Sequence, residues 1–287
     1  MEADPQSAQR RCCAATTVTV TRPPRRREGG AISGPGVFVT GTDTGVGKTQ
    51  VCLGLLSAAN ALGYCTAAMK PVSAGCTLTP QGLRNADALS LQREATLERP
   101  YELVNPVAYA PPIAPHIAAA ESKRPVDLRR IQSAYSRLRR GADFCVVEGA
   151  GGWLVPLGPR TSLADLAERL ALPVVLVVGV RLGCLNHALL SVESIRRRDV
   201  VFAGWVANVL VAEEGRPQAN IDALRTRIDA PLLARVPYHC RGGPSIYRDA
   251  FEGSLVRRLI QRSSTPRADR GAAVSASTGD WPGKSTN

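Results

Sequence analysis

The chain has 287 residues, 44% of them hydrophobic, and a formal net charge of +12. That length furnishes a packed core for one large domain or at most two, and the composition excludes collagenous, low-complexity and membrane-spanning classes. The charge sits mainly at the ends: residues 1–30 carry six Arg against three acids and residues 257–287 six Lys/Arg against two, leaving +5 for residues 31–256, too little to argue for a nucleic-acid or membrane partner.

Residues 1–33 read as a disordered basic extension, or as sequence ahead of a later start. They lack the apolar core of a secretory signal, and Glu2, Asp4 and Glu28 oppose a transit peptide. Eight cysteines (Cys12, Cys13, Cys52, Cys65, Cys76, Cys145, Cys184, Cys240) form no C-x-x-C pair. Several lie in apolar runs, as in Phe144-Cys-Val-Val147, which suits reduced thiols in a cytoplasmic protein. The longest apolar run, residues 172–180, is nine residues with a proline inside it, too short to cross a membrane.

From residue 36 the elements follow one another clearly. Gly36-Val-Phe-Val-Thr-Gly-Thr-Asp-Thr-Gly-Val-Gly-Lys-Thr49 is a short apolar strand (37–40), a glycine-rich turn and the start of a helix (48–62). In that context backbone N–H groups and the positive helix end hold phosphates, Lys48 neutralises their outer charge, and the Thr49 hydroxyl suits Mg²⁺. Five residues instead of the usual four separate Gly41 from Gly47, so either the loop is longer or Thr42 replaces the first glycine. The segment predicts binding of a nucleoside triphosphate.

A second strand, 66–72, carries Lys70 before Pro71, either aimed at the same pocket or a solvated edge charge. Asp87 opens a helix over 87–93 and, on pattern alone, reads as its N-cap. After a helix over 127–140, the apolar run 144–147 leads into Glu148 and Gly149-Ala-Gly-Gly152. An acid at the tip of a buried strand beside a phosphate loop is placed to organise Mg²⁺, the alternative being a solvated loop acid. The glycines after it let backbone approach a ligand closely. Strands at 173–180, 203–210 and 232–236 then alternate with helices at 162–170, 186–197 and 217–228. Residues 263–287, rich in Ser, Thr, Arg and Gly, read as a disordered tail.

This alternation predicts a single-domain α/β fold over 34–262, a P-loop NTPase with a doubly wound, mostly parallel sheet and helices on both faces. Ligands of such sheets sit at the carboxyl ends of the strands. The candidate site therefore gathers 40–49, 70–75, 148–152, 179–186, Asn208 and 237–239.

The set resembles the dethiobiotin synthetases from about residue 37 to 238. The resemblance rests on the loop ending in Thr49, Lys70-Pro-Val72, Gly82-Leu-Arg-Asn-Ala-Asp87, Asn105-Pro106 with Pro115-His116, Val147-Glu-Gly-Ala-Gly-Gly-Trp153, Gly179-Val-Arg-Leu-Gly-Cys-Leu-Asn-His187 and Gly204-Trp-Val-Ala-Asn208. The long loop is that family's form. The resemblance implies a cytoplasmic, homodimeric, ATP- and Mg²⁺-dependent ligase with no nucleic-acid or membrane partner. It would convert 7,8-diaminononanoate and CO₂ into dethiobiotin, with ADP and phosphate released. Lys48, Lys70 and Thr42 are then catalytic. Gly45, Val46, Gly47, Lys48, Thr49 and Gln50, with Gly149, Ala150 and Gly151, hold the nucleotide's phosphates. Thr49, Asp87 and Glu148 form the Mg²⁺ sphere, and Asn208, Val209, Pro237, Tyr238 and His239 meet the base. The diamine is met by Lys70 and Ala74, with Gly183, Cys184 and Asn186 of the partner subunit completing the pocket.

Two departures from the family's pattern stand out. Ala74 lies where a hydroxyl near the diamine is common, which leaves backbone groups or Ser73 to serve the substrate. Val209 follows the adenine asparagine where Asp is common, which leaves Asn208 as the main base contact. Two other P-loop classes are disfavoured. A corrinoid amidoligase needs a glutaminase domain for which the residues after 240 are too few, and a partitioning ATPase carries an extra lysine where this loop has Thr42-Asp43-Thr44.

Overall fold

The computed structural model describes residues 35–212, 215–238 and 244–264; the extension 1–33, His239 and the tail beyond 264 lie outside them. In chain order the elements are β1 (Gly36–Gly41), α1 (Lys48–Ala61), β2 (Thr66–Met69), β3 (Val72–Ser73), β4 (Thr77–Thr79), β5 (Gly82–Arg84), α2 (Ala86–Glu94), α3 (Tyr101–Val104), β6 (Val107–Ala108), α4 (Pro115–Glu121), α5 (Leu128–Leu138), β7 (Phe144–Gly152), α6 (Leu163–Leu170), β8 (Val174–Val180), α7 (Cys184–Arg196), β9 (Phe202–Val209), α8 (Pro217–Arg225), β10 (Leu232–Val236), α9 (Pro244–Asp249) and α10 (Gly253–Ser264).

Six strands form one parallel sheet in the order β10-β9-β8-β1-β7-β2. The first strand lies between β7 and β8, so the chain turns outward in opposite directions on its two sides, and a crevice opens at the carboxyl end of β1. Because side chains alternate across a strand, the sheet feeds two cores. Val37, Val39, Val146, Val175 and Val177 pack beneath α1, α9 and α10. Phe38, Cys145, Val147, Leu176, Val178 and Trp205 pack beneath α5, α6, α7 and α8. The valine-rich runs are thus buried on both faces, as the sequence pattern requires of a parallel sheet. No helix among the described residues is long and apolar enough to cross a membrane.

Three boundaries differ from the sequence expectation. The strand expected over 66–72 breaks at Lys70-Pro71, because a proline has no N–H to donate to the ladder; Val72 and Ser73 leave the main sheet and pair with Val107 and Ala108 instead. β7 does not end at Val147 but runs on through the glycines to Gly152, which pairs with Gly41 across a register shift. α10 continues to Ser264, past the boundary drawn at 262, and the buried Ser263 hydroxyl donates to the Ile260 carbonyl at 2.8 Å.

The first helix is buried along most of its length and passes so close to α9 that Gly54 is required. A Cβ on Gly54 would stand 2.5 Å from Tyr247 Cβ and 2.7 Å from its carbonyl carbon. Alanine in a helix gains about 1 kcal/mol over glycine, but overpacking costs about 1–3 kcal/mol, so the clash wins. Gly54→Ala is expected to lower the melting temperature by several degrees; a melting temperature at or above that of the native chain would show that α9 can move aside.

Candidate active site

The phosphate loop is built from the end of β1 and the first turn of α1. Gly45 and Gly47 turn the chain at φ 74° and 83°, a conformation that costs a side-chain-bearing residue about 1–2 kcal/mol. Gly47 caps α1 without a side-chain bond, and the first-turn N–H groups of Lys48, Thr49 and Gln50 lack intrahelical acceptors, which makes an anion cradle.

Neighbouring strands hold this loop in shape. The Thr42 N–H donates to the Val177 carbonyl at 3.0 Å, and the Thr42 hydroxyl accepts from the Gly179 N–H at 3.4 Å. Asn208, at the end of β9, donates its amide Nδ2 to the Val46 carbonyl at 2.8 Å. Val46 itself is buried. On the outer side Asp43 accepts from Arg181 at 2.8 Å and from the Thr44 N–H at 2.7 Å. Asp43 and Arg181 fall within the 40–49 and 179–186 ranges of the candidate site, but nothing in their spacing pairs them.

Lys48 is buried, and its ammonium donates to the Asp43 carbonyl at 2.9 Å. Burial lowers its pKa to about 8, with Glu148 opposing and Lys70 assisting the shift. Phosphates in the cradle would supply the anion that this desolvated charge lacks.

Behind the loop lies a compact cluster of charges. Glu148 stands opposite Val39 inside β7 and is fully buried. Its Oε1 accepts from the Thr49 hydroxyl at 2.8 Å and from the Lys70 ammonium at 2.5 Å. The same ammonium meets Asp87 Oδ2 at 3.1 Å. For Lys70, burial alone would depress the pKa, but Glu148 first and then Asp87 outweigh it and hold the value above the ordinary lysine range. This lysine is a buried, charged centre and not a solvated edge charge, and Glu148 is a strand residue and not a loop acid.

The reading of Asp87 as an N-cap is overturned. Asn85 caps α2, its side chain accepting from the Ala88 N–H at 3.1 Å, and this frees Asp87 to face Lys70.

The donor set suits a hard cation. Glu148 Oε2 is buried with no hydrogen-bond partner among the described residues, and Thr49, Asp87 and Glu148 offer only oxygen. No cluster of three His, Cys, Asp or Glu residues occurs among the described residues, so a cation here needs the threonine hydroxyl and ligand oxygens to complete its shell.

The remaining candidates divide. Ala74 is half-buried between β3 and Gly75. The Ser73 hydroxyl, the expected substitute for a missing hydroxyl at 74, points inward and donates to Asn105 Oδ1 at 2.8 Å. That leaves backbone groups for any ligand at this turn. Gly149, Ala150 and Gly151 line the extended end of β7, where a Cβ on Gly151 would meet Val155 and Thr44.

The helix expected from Asn186 starts instead at Cys184, after Gly183 at φ 90°. Cys184 is buried and its N–H donates to the Arg181 carbonyl, so the first-turn N–H groups that remain for an anion are those of Leu185 and Asn186. Val209 packs its side chain into the core, whereas Pro237 and Tyr238 are exposed beyond β10.

A family model described as "AAA domain" matches residues 35–241. The chain is 56% identical over 200 residues to an ATP-dependent dethiobiotin synthetase of Cellvibrio japonicus, a match that covers 70% of this chain and 88% of that protein. Proteins of the same name from Pseudomonas paraeruginosa (53% identical over 212 residues; 74% of this chain, 93% of the relative) and Pseudomonas aeruginosa (55% over 204 residues; 71% and 90%) are similarly close.

Proposed function

The chain belongs to the ATP-dependent dethiobiotin synthetase family, and from that premise we propose that it joins 7,8-diaminononanoate and CO₂ into dethiobiotin at the crevice beside β1, with Mg²⁺ bound and with ADP and phosphate released. It is an ATP-dependent ligase of biotin biosynthesis. The observation that carries the assignment of the site is the Lys70 ammonium held between Glu148 and Asp87, directly behind the Lys48 loop.

In this reading one amine of the diamine adds to CO₂ and gives up a proton, forming a carbamate. The carbamate oxygen attacks the γ-phosphorus and displaces ADP. The second amine then attacks the carbonyl of the mixed anhydride, closing the ring and expelling phosphate. Charge gathers where carbamate and γ-phosphate meet, and phosphoryl transfer responds chiefly to positioning and neutralisation. Lys48 from the loop and Lys70 from the end of β2 serve that need, and Thr42 keeps the loop's entry against β8. Thr49, Asp87 and Glu148 would hold the Mg²⁺, which neutralises phosphate charge when bound. Asn208, with its Nδ2 already given to Val46, has its Oδ1 left for the adenine amino group, and Pro237 and Tyr238 border the base. Among the described residues Cys52, Cys65, Cys76, Cys145 and Cys184 are free thiols, which with the use of ATP agrees with cytoplasmic residence.

Incubating the protein with diaminononanoate, bicarbonate and ATP should release phosphate in step with dethiobiotin. Phosphate release that is indifferent to the diamine would overturn the substrate assignment. Asp87→Asn should raise the Mg²⁺ concentration needed for half-maximal rate, because it removes a charged oxygen from a hard cation's sphere. With Asn85 as the cap, a lost cap cannot be the cause; an unmoved titration would confine Asp87 to its pair with Lys70.

We also assign a symmetric homodimer in which the 183–186 turn of one subunit faces the diamine bound beside Lys70 of the other. The support is Leu182, 99% exposed next to Gly183, with Leu190 of α7 57% exposed, apolar surface that a second copy would cover. Mixing inactive Lys70→Ala and Gly183→Glu subunits is expected to restore up to half the native activity per hybrid, since one composite site is intact. Exchange of subunits without recovery would refute the shared site.

A further inference from the structure

Lys70 directly follows β2, the outermost strand of the sheet, and precedes Pro71, so the ladder does not hold its backbone. Other groups hold it instead. Its N–H donates to the Val104 carbonyl at 2.8 Å, and its carbonyl accepts from Asn105 Nδ2 at 2.6 Å. Asn105 Oδ1 accepts from the Tyr101 hydroxyl at 3.1 Å and from the Ser73 hydroxyl at 2.8 Å. The Tyr101 hydroxyl in turn accepts from the Asn85 N–H at 2.7 Å, and Asn85 caps the helix that presents Asp87. Asn105, Tyr101, Ser73 and Asn85 are all buried.

The direction of this chain follows from its ends. A backbone N–H can only donate, so Asn85 uses the lone pair of Tyr101 and leaves the tyrosine proton for Asn105. A backbone carbonyl can only accept, so Lys70 must face the Asn105 NH₂ group. The amide orientation is fixed at both ends, and both faces of the Asn105 amide are used. The two things that aim the Lys70 ammonium, its own backbone and the helix bearing Asp87, are therefore tied by one hydrogen-bonded path, Lys70–Asn105–Tyr101–Asn85.

We propose that Asn105 and Tyr101 are positioning residues for the ligase reaction: they keep Lys70 in register with Asp87, and so with the reacting phosphate and carbamate. Ser73 belongs to the same device, its hydroxyl spent inside the protein and not on the substrate. The inference rests on Lys70 acting in the reaction, and a misplacement of about 1 Å at such a group costs on the order of 10²-fold in rate.

The test is a kinetic coupling. Tyr101→Phe removes one hydroxyl and should lower kcat about tenfold, with KM for ATP within about twofold, because the loop at Lys48 is untouched. In an Asp87→Asn background, where the register with Asp87 is already lost, the same change should lower kcat by less than about twofold. Ser73→Ala, which takes a single donor from Asn105 Oδ1, should show a smaller loss with the same coupling, and it serves if Tyr101→Phe folds poorly. An equal loss in both backgrounds, or full activity in folded Tyr101→Phe and Ser73→Ala, would overturn the proposal. Native-like turnover of Lys70→Ala would instead remove the premise, an outcome distinguishable because it needs neither variant.

Discussion

Lys70→Ala is expected to lower kcat by about 10²–10³-fold, the typical loss when one preorganised charge at a transition state is removed, while ATP binding changes little. The reason is geometric. Lys48 is the cation built into the nucleotide loop, donating to Asp43 within it, whereas Lys70 reaches the site from β2 and is held by Glu148 and Asp87. An interaction made chiefly in the transition state shows in kcat and not in substrate affinity. Stability also falls, because Glu148 Oε1 loses the Lys70 ammonium and keeps the Thr49 hydroxyl, and breaking a buried pair costs about 3–5 kcal/mol. The comparison therefore uses the folded fraction, by thermal denaturation with steady-state kinetics. Folded Lys70→Ala that turns over at the native rate would take Lys70 out of the reaction.

Gly47→Ala is the second change with a large expected effect, a loss of ATP affinity of roughly two orders of magnitude. Placing a side chain at φ 83° costs about 1–2 kcal/mol. The new Cβ would also be driven into Asn208 Nδ2, ending the bond to the Val46 carbonyl, worth about 0.5–1.5 kcal/mol more. At about 1.4 kcal/mol per tenfold, the two together give the stated loss. Gly45 is the internal control. It sits at φ 74° with nothing within 4 Å of a Cβ, so Gly45→Ala bears the backbone strain alone and should lose only about tenfold. Equal losses in calorimetric titrations with ATP would show that the Asn208 contact carries no weight.

The pairing of Lys70 with Asp87 shows where sequence patterns stop. A helix opening near residue 87 was legible, but the choice between Asn85 and Asp87 as its cap was not, because both residue types cap well. Only the packing of Lys70 beneath α2 decides that the aspartate is needed elsewhere. Ser73 and Ala74 are a second instance. Adjacent residues on an extended segment face opposite sides, and the register of β3 against β6 turns the serine inward. The extension of β7 through Gly149-Ala-Gly-Gly152 was hidden for the opposite reason: glycine carries little strand propensity, and the pairing with β1 overrides it.

By itself the sequence determined the phosphate loop, the α/β alternation and the family. Each is written in contiguous residues, because a phosphate loop's glycines and an element's periodicity are local patterns. The tertiary structure alone decided the site's working contacts. Thr49 and Glu148 are 99 residues apart, Lys70 and Glu148 are 78, and Val46 and Asn208 are 162. These contacts are set by the strand order β9-β8-β1-β7-β2, which brings distant strand ends together through buried valine faces, and no spacing along the chain states which strand will lie beside which.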